Sequence, residues 1–340
     1  MTRSGWILAG ALALVAAGVV GGWAMVDRPA QQGRAERQAC ALPAPPASSP
    51  YPGMVWVPAG SFDIGDTVYP EEAPRRPRHV EGFWMDRTEV TNDEFSAFVR
   101  ATNYVTVAER AVDPAQNPGL PAPMQRPGAV VFVMPSDVRG SGDVTQWWRY
   151  IPGANWRHPG GPKTSIEGRG AFPVVTVTIE DAQAYARWKG RTLPSEAQWE
   201  WAARAARNAP MPTHEQPKDA NTWQGLFPVI NSGEDGFAGL APVGCYAPNA
   251  LGLHDMIGNV WELTADTWTP HHGEAEAPPP DQVPAGMRAS AAAQQVIKGG
   301  SFLCAPNYCM RYRAGAREPQ DRDLGASHLG FRTILMAPGS

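Results

Sequence analysis

The 340-residue chain sets 29 Lys and Arg against 33 Asp and Glu, a formal net charge of -4, which excludes the broad basic face of a general nucleic-acid binder. Hydrophobic residues at 43% are ample for a core, whereas 35 Gly, 35 Pro and 13 Trp exclude a regular helical or sheet protein. Aromatics run through the Pro/Gly segments, so the expected class is an irregular, loop-rich domain and not a disordered chain.

Residues 5–26, GWILAGALALVAAGVVGGWAMV, carry no charge and are long enough to cross a bilayer as a helix. Arg3 and the amino terminus precede them, so the positive end is expected to stay in the cytosol and the rest to be exported. Residues 1–26 are therefore expected to be a membrane anchor. Gly22 and Ala24 offer a weak cleavage site, and cleavage would make the protein secreted or periplasmic. Residues 27–53, ending in LPAPPASSPYPG, form a stiff Pro-rich spacer with no packable face.

The domain is expected to occupy residues 54–337. MVWVPAG predicts a short strand, SFDIGD a turn-rich continuation, and HVEGFWMD a second strand. A helix follows, with Thr91 at its N-cap and Glu94 completing a capping box. Residues 105–172 are the least regular part; Trp147, Trp148 and Trp156 read there as core residues. Val174 to Val177 predicts a strand, then a helix through Trp188 capped by Gly190, then a second helix with Ser195 at its N-cap and Gln198 at N3. Two loops combine acids, amides and glycines, ANTWQGLFPVINSGEDGF and LHDMIGNVWELTADTW. Such loops suit hard cations, although Asp, Asn and Gly also simply make turns. Residues 269–293 read as a low-complexity insertion, with His271 and His272 expected to be solvated.

Chemistry concentrates near the carboxyl end. Cys304 and Cys309 follow a Gly299-Gly300-Ser301 turn and precede Arg311, Arg313 and Arg317. Fixed positive charge favours the thiolate, which attacks electrophiles and binds soft metals; two thiolates can hold Cu(I). No second Cys/His pair completes a zinc site, and a disulfide closing a short loop is the alternative. Of the other two cysteines, Cys40 lies in the spacer and Cys245 in a loop, and a bridge between them is possible.

GGSF, Cys-x-x-x-x-Cys, RYRAGAR and LGFR, in that order, resemble the C-terminal signature of the formylglycine-generating enzymes, the sulfatase-modifying factors. GANWRHPGGP and RTLPSEAQWEWAAR are similar to other stretches of that family. The resemblance implies a single α+β domain of C-type-lectin-like type, low in regular secondary structure. It implies an oxygen-dependent copper enzyme that converts a cysteine of an unfolded sulfatase segment, Cys-x-Pro-x-Arg, to Cα-formylglycine. Cys304 and Cys309 would hold Cu(I), Ser301 and Trp261 would line the oxygen pocket, and Tyr308 and Arg311 would position the peptide. Arg313 and Arg317 are assigned to the scaffold. Calcium is implied twice: at Asn221, Thr222, Asp235 and Phe237, and at Asp255, Gly258, Val260 and Glu262. Family cysteines that form disulfides in some relatives are Ala186, Ala203 and Ala314 here. A monomer, attached to the membrane by its N-terminal segment, is expected. Some relatives lack one or both cysteines, so the competing function is a non-catalytic module with Cys304 and Cys309 as a disulfide.

Overall fold

Each helix starts on a reciprocal cap. The Thr91 hydroxyl accepts the Glu94 N–H at 3.3 Å while the Glu94 carboxylate accepts the Thr91 N–H at 2.9 Å, which opens α1 (Asn92–Thr102). Thr178 with Asp181 opens α2 (Ile179–Trp188), and Ser195 with Gln198 opens α3 (Glu196–Ala203). Such caps contribute about 1 kcal/mol each. The N-caps expected at Thr91 and Ser195, and the end of α2 at Trp188, are observed.

In this computed structural model the described residues are 39–42, 49–112, 119–139, 142–207, 215–272 and 294–337. All fall in one unit, Arg37–Ser340; the other unit, Met1–Glu36, lies outside them. The expected anchor, most of the spacer and residues 273–293 of the expected insertion also lie outside. Among the described residues no helix is long and apolar enough to cross a membrane.

Short strands tie distant parts of the chain together. β1 (Met54–Val57), β4 (Phe83–Asp86) and β11 (Ile334–Met336) form an antiparallel sheet in that order, which returns the carboxyl end to the start of the domain. Between them β2 (Gly60–Ile64) and β3 (Arg76–Val80) pair as a ribbon, as do β5 (Gly128–Phe132) and β6 (Trp148–Pro152). The second sheet has the order β10-β7-β8-β9, built from β7 (Trp261–Thr267), β8 (Gln295–Lys298), β9 (Arg317–Gln320) and β10 (Leu329–Gly330). This is the low-regularity α+β domain expected.

Three local expectations need correction. SFDIGD contributes a strand, β2, because Phe62 and Ile64 alternate inward while Asp63 stays partly exposed. HVEGFWMD is two strands broken at Glu81-Gly82, where a Cβ on Gly82 would lie 2.4 Å from the Trp56 ring. Val174 to Val177 is no strand. Its N–H groups bond in turn to Val90 O and Ala326 O, two separate segments, and Thr176 sits at φ 58. A fully buried apolar run satisfied by two partners forms a threaded connector, which periodicity cannot distinguish from a strand.

Aromatic side chains fill the core. Phe95 of α1 meets Trp156 at 5.2 Å and Tyr185 of α2 at 6.0 Å between ring centroids. Trp147, Trp223, Phe227 and Phe302 form a separate buried cluster. Trp147 and Trp156 are core residues as expected, whereas Trp148 is half-buried and borders a cavity.

A buried ion network connects α3 to the second sheet. Lys298, fully buried, donates to Glu200 at 3.0 Å and Glu196 at 3.4 Å, and Arg317 lies 3.0 Å from Glu196. Burial alone would raise the Glu196 carboxyl, but Lys298, His272 and Arg317 pull it down to about 2. His272 was expected in solvent; it is buried in this network, with Nδ1 3.0 Å from Glu72 O and Nε2 3.2 Å from Glu196. His272 therefore belongs to the fold, whereas His271 stays exposed as expected, with Nδ1 3.0 Å from Pro70 O. Cys40 and Cys245 form a disulfide, closing a sequence separation of 205.

Candidate active site

The turn after β8 aims the cysteines. Gly299 (φ 95) and Gly300 (φ 76) occupy the left-handed region, and a Cβ on Gly299 would meet the Trp199 ring and Met256 O at 3.0 Å. Only glycines let Lys298 enter the ion network while Ser301 turns back under the next segment. Two successive turns follow: Cys304 N–H donates to Ser301 O at 2.9 Å and Cys309 N–H to Ala305 O at 2.9 Å. Asn307 pins this turn to a neighbouring loop by bonding both Phe227 N–H and Phe227 O. The two sulfurs are thereby brought to 2.9 Å from each other.

Cys304 is 1% exposed and Cys309 is half-buried, and both are free thiols. Their separation exceeds the roughly 2.05 Å of a disulfide and lies inside the roughly 4.6 Å that two metal–sulfur bonds of about 2.3 Å can span. A pair of thiols at this distance is a donor set that fits one soft ion. Burial pushes the Cys304 thiol well up, and its neighbour adds to that. Cys309 moves the other way: the hydrogen bond from Cys304, the Arg311 N–H and the Arg311 charge pull its thiol down against burial. The first proton is therefore lost from Cys309, with Cys304 donating to the thiolate.

The pair borders a cavity of about 420 Å³ whose wall includes Ser301, Trp261, Tyr308 and Arg311. Ser301 is fully buried; its Oγ accepts the Leu303 N–H at 3.3 Å and its own N–H points to Cys304 Sγ at 3.4 Å. Trp261 is 4% exposed at the start of β7. Tyr308 stacks on Phe227 at 4.1 Å. All six residues expected at the active site thus surround one space. Arg311 is engaged within the protein: its guanidinium reaches Glu71 at 2.5 Å and Glu318 at 2.9 Å and covers the Tyr69 ring at 4.0 Å. Arg313 binds Asp66 and Glu72, and Arg317 covers the Trp268 ring while bonding Thr269 O, which agrees with scaffold roles.

The two oxygen-rich loops lie side by side, since Asn259 N–H bonds Asn221 O and Asn221 Nδ2 bonds Asn259 Oδ1. In the first, Asp235 gathers the N–H groups of Thr222 at 2.9 Å and Phe237 at 3.2 Å, bringing Asn221, Thr222, Asp235 and Phe237 into one loop. Its carboxylate, amide and carbonyl oxygens are of the kind a hard cation takes. In the second, Asp255 Oδ1 is buried without a partner, and so is Oε2 of Glu89. Burial raises both carboxyls, Asp255 to about 6, and the Asp255 charge raises Glu89 further. Orphaned buried carboxylate oxygens fit a cation. Gly258 (φ 81) and Val260 follow in the same loop. Glu262 differs: Arg332 holds both its oxygens at 2.7 Å and Trp199 donates to one of them at 2.8 Å.

Glu89, His328 and the Glu71–Arg311–Glu318 bridge were not expected from the sequence. Glu71 lies 240 residues from Arg311 in the chain, so no local pattern joins them. His328 directly precedes the LGFR stretch, and that adjacency was an available signal.

Comparison with known proteins bears on this geometry. The family described as "Sulfatase-modifying factor enzyme 1-like domain" matches residues 40–337. The chain is 48% identical over 294 residues to a formylglycine-generating enzyme of Mycobacterium tuberculosis, covering 83% of this chain and 97% of that one. It is 41% identical over 325 residues to the formylglycine-generating enzyme of Bos taurus, covering 90% and 83%. It is also 35% identical over 296 residues to "Inactive C-alpha-formylglycine-generating enzyme 2" of Mus musculus, covering 84% and 86%. Among solved structures, PvdO from Pseudomonas aeruginosa shares the fold, with a TM-score of 0.53, 24% identity and coverage of 84% and 94%.

Proposed function

Because this chain belongs to the sulfatase-modifying factor family of formylglycine-generating enzymes, we propose that it activates sulfatases by oxidising a cysteine in an extended Cys-x-Pro-x-Arg segment to Cα-formylglycine, using O2 and copper. The observation that carries this reading is the dithiol: two free sulfurs 2.9 Å apart on the wall of a cavity large enough for a peptide side chain. A relative bearing the word inactive has a similar sequence, so the argument rests on these side chains and not on the fold alone.

Cys304 and Cys309 would hold the copper as Cu(I), which supplies redox chemistry with O2 when bound. The protein's own contribution is positional. Cys309, acid-shifted and half-buried, offers the first thiolate. Arg311, fixed by Glu71 and Glu318, keeps positive charge beside it. Trp261 and Leu303 keep the wall apolar and limit water, and Ser301 provides a buried hydroxyl at its base. The client thiol gives up its proton and enters next to the pair. Two electrons and one hydrogen from Cβ then leave, and with the proton already given up by the thiol they reduce O2 to hydrogen peroxide; water hydrolyses the resulting thioaldehyde to the aldehyde with release of hydrogen sulfide. Calcium at the two neighbouring loops would brace the segment that leads into β7 and Trp261.

The domain is proposed to work outside the cytosol, tethered by residues 1–26 or released if they are cleaved. The Cys40–Cys245 disulfide supports this, since such bonds persist in oxidising compartments. The decisive test incubates copper-loaded protein with a Cys-x-Pro-x-Arg peptide under air and reads the product by mass spectrometry. Conversion of thiol to aldehyde is expected, with a loss of at least about 100-fold in kcat/KM for Cys304→Ser or Cys309→Ser. No conversion by the wild-type protein at any copper loading defeats the proposal.

A further inference from the structure

His328 stands on the cavity wall in an unusual state. It immediately precedes β10, and its carbonyl accepts the Trp261 N–H at 2.9 Å, so its backbone is fixed to the start of β7. Its ring packs on Trp148 with centroids 4.6 Å apart, and both residues border the cavity. Nδ1 is buried with no hydrogen-bond partner among the described residues. Several polar groups on this wall are already engaged: Arg311 with Glu318, Gln294 with Asp321, and Gln320 with Leu324 O. A buried polar atom without a partner carries a desolvation cost, and here nothing within the protein offsets it.

From this arrangement we infer that the His328 imidazole is a substrate-positioning group that hydrogen-bonds a main-chain amide of the bound cysteine peptide. A neutral imidazole offers one donor and one acceptor, which is also what a peptide unit presents. An extended peptide entering an apolar cavity must find partners for its amides, and a neutral ring supplies them without the cost of stripping water from a charge. Burial pushes the His328 ring down to about 3, so it stays neutral throughout the working range and does not act as a proton acceptor. The ring is held by packing against Trp148 and by its fixed backbone, so little freedom is lost when the peptide arrives.

This inference deepens the proposed function and rests on it, so its test has two arms. In the kinetic arm, His328→Phe keeps a ring against Trp148 but removes both nitrogens. It is expected to raise KM for the cysteine peptide about tenfold with little change in kcat, while His328→Gln restores KM to within about threefold. If KM stays within twofold of wild type in His328→Phe, or if His328→Gln is as impaired as His328→Phe, the assignment is overturned. In the binding arm, a peptide with serine in place of cysteine is titrated into wild-type protein and the histidine ring nitrogens are followed by NMR, with His328→Gln identifying the signal. A shift of the His328 resonances on binding is expected, and unmoved resonances at saturation, or no binding, overturn the assignment. Should wild-type protein bind this peptide and shift His328 yet convert no cysteine, the enzymatic reading fails while the positioning role stands.

Discussion

At the scale of single residues the site works through asymmetry. Cys304 and Cys309 close two successive turns, yet one thiol is 1% exposed with its acidity suppressed by burial, and the other faces the cavity and borrows a hydrogen bond from the first. The difference has a direct chemical readout. In metal-free protein, iodoacetamide is expected to label Cys309 at least about tenfold faster than Cys304. Because the Cys309 thiol lies below its usual value, its labelling rate should rise and level off at a lower pH than that of a free cysteine. Peptide mapping of labelled protein across pH 6 to 10 checks this, and equal labelling of both cysteines contradicts it. The sulfur pair, Ser301 and Trp261 were legible in the sequence because they sit within short motifs. Glu89 was not, since what marks it is an atom without a partner, and partners come from distant segments; His328 had only its place beside the LGFR stretch to mark it.

Elements set the positions of these residues through their ends more than their middles. Helix starts were readable because a cap is a local bargain between residues three apart, as at Thr91 and Glu94. Thr91→Ala is expected to cost about 1 kcal/mol in urea unfolding with unchanged slope. A loss below about 0.3 kcal/mol would show that tertiary contacts of α1 carry its start. Strands were less legible, and the reason differs from case to case. β2 looked like turns because Gly60 and Asp63 carry no strand preference; its pairing with β3 overrides that. Val174 to Val177 has strand-like residues but is bonded to two separate segments, so no ladder forms.

The whole molecule joins sulfur chemistry to two oxygen-rich loops through β7 and its neighbours. Asp255 and Glu89 leave buried oxygens without partners, and the loop of Asp235 adjoins them through Asn221 and Asn259. If these loops hold calcium, the ion binds only the folded state and stabilises it by mass action, by about 2.7 kcal/mol at 100 times its dissociation constant. Chelation with EGTA is therefore expected to lower the melting temperature by several degrees, with recovery on adding calcium and not magnesium, read by differential scanning fluorimetry. An unchanged melt removes calcium from the account.

Family membership, the irregular α+β class, the capped helices and the sulfur pair were determined by the sequence alone, because each depends on residues within a few positions of one another. Only the tertiary structure decided that Cys40 meets Cys245, that Arg311 is held between Glu71 and Glu318, and that His272 is buried against Glu196. The Arg311–Glu318 contact is local, but the other three span from 76 to 240 positions. Pairing over such distances follows from how the whole core closes, and no spacing along the chain encodes it.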